Sequence, residues 1–204
     1  MIHPFNNDML TSEEHELINY IYNHLSLKSD TAVTEVVDFD LNNFSLFAHY
    51  KNLQILSTIA IRRAENAFLS FIKLNYTSPG GKRGDHDNIE LQLWGYAILR
   101  KDFGHVLIRS ENFADKLLEL VCPVEIDFDD DNLFSKQFYV VADDKDKAVS
   151  AMNFSFRNVV TQLPEGDFLI EIVKDQLIIG NRKPASIEST EQLGKFITTV
   201  ALLR

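Results

Sequence analysis

The sequence predicts an α+β protein, with a mainly antiparallel sheet, an N-terminal helix and helices packed over the C-terminal half. Three patterns predict it. Apolar residues recur at helical spacing near both ends of the chain. Alternating runs rich in β-branched and aromatic residues fill residues 33–109. Short alternating runs then interleave with helical ones through the second half. The 204 residues are 45% hydrophobic, enough to build a core. No linker or internal repeat divides them. One domain over 1–204 is expected, with any subdivision near 78–88.

Taken in order, the first element is a helix over 11–27. Thr11 and Glu14 have the spacing of a capping box, and Leu17, Ile18, Ile21 and Leu25 make one apolar face. Residues 33–40, 44–50, 53–62 and 67–76 read as an antiparallel meander, with Phe44, Leu46, Ala48 and Tyr50 in alternation. A long helix from residue 43 competes over 44–74, because neither Gly nor Pro interrupts 41–78. Three Gly and a Pro make 78–88 a loop. Residues 89–100 alternate again, with a bulge expected at Gly95, and 105–109 is expected to return as their hairpin partner.

Ser110 can cap a helix with Leu117, Leu118 and Val121 inward, ended by Pro123. A short strand over 124–128, a helical turn over 133–138 and a strand over 139–142 follow. Asp143 or Asp144 caps one helix carrying Val149, Met152, Phe156, Val159, Val160 and Leu163. Residues 168–173 and 176–179 form a hairpin about Lys174 and Asp175. Ser189 and Gln192 read as a capping box for the last helix, with Leu193, Phe196, Ile197 and Val200 inward.

Charge narrows the partners. With 20 Lys+Arg against 30 Asp+Glu the formal net charge is −10, and the basic dipeptides Lys82–Arg83 and Arg62–Arg63 form no stripe, so nucleic acid is disfavoured. No apolar run is long enough to span a membrane, and the first residues lack a basic, apolar leader. Cys122, the single cysteine, excludes an internal disulfide and reads as a buried small hydrophobe between Val121 and Pro123. A cytoplasmic protein is expected.

Candidate chemistry is sparse. Gly80, Gly81, Lys82 and Gly84 lack the spacing and the hydroxyl of a phosphate-binding loop. His86, between Asp85 and Asp87, is a candidate metal ligand. Asp127, Asp129 and Asp131 match the first three oxygen positions of a calcium loop. However, Asn132 stands where Gly is needed and Phe138 where the bidentate Glu is needed. Glu90, Glu125, Asp167 and Glu171 fall on or near strands, where sequence spacing cannot pair them for acid–base work. Trp94 and Tyr96 are candidate ligand-binding aromatics, on the same side of the strand if Gly95 does not bulge. No residue is assigned a catalytic role, and no cofactor is implied.

From Glu125 to Ile179 the chain runs Phe134-x-x-x-Phe138-x-Val140, then Asp143 or Asp144 with Ala148, then an apolar helix and an Ile/Leu-rich hairpin. Together with the preceding strand 104–109, this resembles the C-terminal part of a broad group of uncharacterised bacterial domains of unknown function. The resemblance implies a bacterial α+β domain and brings no catalytic residue with it. Many members of the group carry hydrophobic tethers that this sequence lacks.

The leading expectation is a non-enzymatic binding or protein-interaction domain that uses a protein partner or self-association. A cation-dependent hydrolase, or another small-molecule enzyme whose acids converge only in three dimensions, is the alternative. A carrier with a Phe-lined cavity is a third reading.

Overall fold

A computed structural model describes residues 10–28, 31–34, 39–62, 64, 66–78, 86–110, 124–164 and 168–203. The helix expected after Ser110, Cys122 and most of the Gly-rich stretch lie outside the described residues.

Among the described residues, nine strands form one sheet: β1 (Thr31–Thr34), β2 (Asn52–Ile61), β3 (Ala67–Ser78), β4 (His86–Ile98), β5 (His105–Ser110), β6 (Val124–Glu125), β7 (Phe138–Ala142), β8 (Leu169–Val173) and β9 (Gln176–Gly180). Their order is β1-β2-β3-β4-β9-β8-β5-β7-β6, and every neighbouring pair is antiparallel. The helices are α1 (Ser12–Lys28), α2 (Asn132–Gln137), α3 (Lys145–Ala151), α4 (Phe154–Val160) and α5 (Ile187–Leu202). The α+β class, with its antiparallel sheet and helices at both ends, is as the sequence predicts.

Two apolar layers follow from the strand alternation. Leu69, Leu93, Ile170 and Ile179 face one way and pack with Ile18 and Ile21 of α1, Phe156 of α4 and Phe196 and Ile197 of α5. Ile72, Trp94, Leu107, Leu169 and Ile178 face the other way and lie under a strap of chain, residues 39–50.

That strap corrects the expected strand over 44–50. It contains two 3-10 turns, Leu41–Asn43 and Ser45–Phe47. Local bonds hold it: Asp40 caps the Asn42 N–H, Phe47 N–H donates to Phe44, and Tyr50 N–H donates to Phe47. Phe44, Phe47 and Tyr50 recur every three residues, the period of a 3-10 helix. The apparent alternation of Phe44, Leu46 and Ala48 hid that spacing.

The expected pairing of 89–100 with 105–109 is also corrected. The β8–β9 hairpin lies between them, so β4 pairs with β9 and β5 with β8. Leu99 N–H donates to Asp175, and Phe103 N–H to Lys174, so the β4–β5 connection passes around the hairpin's tip. Three strand spacings separate β4 from β5, about 14 Å, which a connection of this length spans.

Three smaller corrections share local causes. Gly95 keeps ladder register with Leu69 and Ile179; the bulge lies in β2 between Ile55 and Ser57. A Cβ at Gly95 would stand 2.6 Å from Ile197 Cγ2, so the glycine serves the close approach of α5. The helix expected after Asp144 is two, because Asn153 caps a fresh start through the Phe156 N–H. The last helix begins three residues early, on a box of Ser186 and Ser189. By contrast, α1 carries the expected Thr11/Glu14 box, and the β8–β9 hairpin turns at Lys174 as read.

Candidate functional site around Glu171

The most unusual polar group of the described residues is Glu171, fully buried in the middle of β8. Strand alternation puts it on the strap face beside Leu107 and Ile178, its cross-strand partners. A buried carboxylate needs donors, and three converge on it. Ser45 N–H donates to Oε1 and Leu46 N–H to Oε2, each at 2.8 Å. These are N–H groups that open a short turn and have no partner within it. His105 Nε2 lies 2.6 Å from Oε1.

His105 occupies the first position of β5 with a partly exposed side chain. Its backbone is fixed on both sides: its N–H donates to Asp143 Oδ1 at 2.8 Å, and its carbonyl accepts from Asp143 N–H. Arg182 adds a cation near the strap, with Nη2 at 3.5 Å from the Leu46 carbonyl. Burial raises the Tyr50 phenol above its ordinary range at the strap's end. The cluster therefore joins a buried carboxylate, an imidazole that reaches solvent and a strap clamped by its own N–H groups.

Trp94 and Tyr96 lie beneath the strap. Trp94 is fully buried, donates to Gln92 Oε1 at 3.0 Å and meets Phe47 edge-on at 4.8 Å. Tyr96 stacks on Phe39 at 4.2 Å between centroids. Both rings are spent on protein partners, and burial raises the Tyr96 phenol.

The candidate metal residues do not come together. His86 is exposed at the start of β4, while Asp127, Asp129 and Asp131 follow β6 at the sheet edge, five strand positions away. At about 4.8 Å per strand that is roughly 24 Å. Asp127 and Asp129 are exposed. Asp131 caps α2 through the Phe134 N–H and accepts from Arg157 Nε at 3.1 Å.

Arg157 is the organiser of this corner, a role the sequence reading missed. It is 3% exposed. Its Nη2 donates to Asp130 at 2.6 Å and its Nη1 to the Met152 carbonyl at 2.9 Å, and its guanidinium lies over the Phe128 ring at 4.5 Å. It thus satisfies the carbonyl freed where α3 breaks and ties α4 to the start of α2. The acidic run 127–131 was the available signal, since a buried cation needs such a counter-charge.

Among the described residues, no helix is long and apolar enough to cross a membrane, and no three His, Cys, Asp or Glu side chains are grouped to hold a metal ion. No family model matches the sequence, and no curated protein matches it. The fold is similar to that of the mycobacterial trehalose monomycolate transport factor A, TtfA. That crystal structure aligns over 92% of this chain and 91% of its own, with a TM-score of 0.53 and 8% sequence identity.

Proposed function

We propose that this chain is a non-enzymatic binding domain of the bacterial cytoplasm that docks a protein partner or a second copy of itself. One observation carries the reading. Phe154 and Leu133, 66% and 74% exposed, stand at the starts of α4 and α2, the two helices that Arg157 ties together. Large apolar side chains held outward on a fixed frame are what interface anchors look like. The fold's likeness to a protein named as a transport factor supports a role without chemistry.

The test is site-specific photocrosslinking in the native cell, with a benzophenone amino acid at 154 or 133 and a control at Lys183. A discrete adduct from 154 and 133, absent from 183, supports docking there, and its mass separates a partner from a second copy. No adduct from either position, or the same adducts from all three, overturns it.

A second reading, a small-molecule hydrolase, is favoured by the solvent-reaching His105 with Glu171 behind it, an arrangement suited to a general base. It ranks second because two of the three donors to Glu171 belong to the strap. Hydrolysis of an ester panel that His105→Ala abolishes would promote it.

A further inference from the structure

The outward stripe of α4 is Phe154, Ser155 and Asn158, continued by Gln162 just past the helix end. None of these residues is charged, in a chain whose formal net charge is −10. Two acidic molecules can approach along such a stripe without setting carboxylates against each other, and depletion of charge marks the centres of interfaces.

The stripe has a knob at one end and a hole at the other. The knob is the exposed ring of Phe154. The hole is a groove of about 270 Å3 between the end of α4 and α5. Val159, Leu163 and Phe196 give it an apolar floor, and Gln162, Gln192 and Lys195 stand around them. A cavity of about 150 Å3 accommodates a benzene ring, so this groove has room for a phenyl group. Lys195 is exposed and has no ion pair among the described residues. Its ammonium is the electrostatic complement of an inserted ring face.

Helix geometry relates knob to hole. Val159, Gln162 and Leu163 centre about 130° around α4 from Phe154 and about 11 Å further along it, on the opposite flank of the stripe. Asn158 lies between them. A two-fold axis perpendicular to α4 near Asn158 reverses both displacements, and so brings the Phe154 of each copy over the groove of the other. That is the condition for an isologous interface, in which one patch is its own complement.

We propose that the partner of this face is a second copy of the chain, in a two-fold dimer where each Phe154 enters the α4–α5 groove of the other copy beside Lys195. The proposal rests on the docking reading of Phe154 and deepens it by naming what docks.

The experiment is sedimentation velocity of the intact chain over a concentration series, paired with disulfide trapping. Wild type is expected to form a reversible dimer in the micromolar range. Phe154→Ala should weaken it about tenfold or more. Gln192→Trp, which fills the groove from its rim and leaves Phe154 in place, should weaken it similarly. Unchanged melting temperatures show that both variants stay folded. In a Cys122→Ala background, Asn158→Cys should give a disulfide-linked dimer on mild oxidation, and Lys183→Cys should not. The proposal is overturned by a monomer at every concentration, by a dimer indifferent to both Phe154→Ala and Gln192→Trp, or by Asn158→Cys linking no faster than Lys183→Cys. A monomer that still yields an adduct of another mass from 154 and 133 in the cell sinks this proposal and leaves docking of a different protein standing. A monomer with no adduct from either position sinks both.

Discussion

Gly180 on β9 carries the indole of Trp94: a Cβ at position 180 would stand 2.4 Å from Trp94 Cδ2 and Cε3. The indole, wedged between Gly180 and Phe47, cannot retreat without lifting the strap. Gly180→Ala is therefore expected to destabilise the protein by about 1–3 kcal/mol, the usual cost of overpacking. It should also red-shift the emission of Trp94, the chain's one tryptophan. Thermal melting and fluorescence of the variant check both.

Glu171→Gln preserves shape and removes an acceptor. One of the two strap N–H groups, Ser45 or Leu46, would then face an NH₂ group. The expected loss is about 2–4 kcal/mol, from weakened charge-assisted bonds and an unsatisfied buried donor. Hydrogen exchange at the Ser45 and Leu46 amides should accelerate more than exchange in α5.

Asp130 and Asp131 both bond Arg157, yet their removal should differ. Asp130 is mostly exposed, and its pair with Arg157 is screened. Asp131 is more buried and also caps α2. Asp131→Ala is expected to cost about 2 kcal/mol, adding a lost cap to a lost partner of a buried cation. Asp130→Ala should cost about 0.5 kcal/mol. Equal losses by chemical denaturation would contradict the assignment.

Glu14 sets a pH dependence. Burial pushes its carboxyl up, but the Thr11 N–H and the Lys73 ammonium together outweigh that and hold it below the ordinary carboxylate value. A group whose folded value is depressed stabilises fully above its unfolded value, near 4.5, and loses that contribution as pH falls through the folded value. Wild type should therefore melt above Glu14→Gln by a constant interval from neutral pH down to about 5.5. The interval should close at lower pH, and melting curves across that range test it.

What could be read in advance was local. Thr11 with Glu14 and the turn at Lys174 lie within a few residues of the groups they organise, so their order in sequence contains their chemistry. The 3-10 strap was misread because Phe44, Leu46 and Tyr50 fit a period of two as readily as Phe44, Phe47 and Tyr50 fit three. Pairing was misread because 89–100 and 105–109 are adjacent in the chain, and nothing in either run says that the β8–β9 hairpin will enter between them. Glu171 was one of several strand acids until the fold brought Ser45, Leu46 and His105 to it. Arg157 was hidden similarly, its counter-charges visible but its burial not.

The insertion of β8–β9 between β4 and β5 governs how the protein can be made. Gly95 waits for Ile179, and Val106 for Ile172. As the chain leaves the ribosome, β2–β3–β4 and β5–β7 can each zip early, but both keep one bare, apolar rim until residues 169–180 have been synthesised. Contacts of such long range fold slowly, and bare rims invite stray strand pairing. A nascent chain stalled before residue 168 therefore carries two unfinished half-sheets, and the last hairpin is the keystone that joins them.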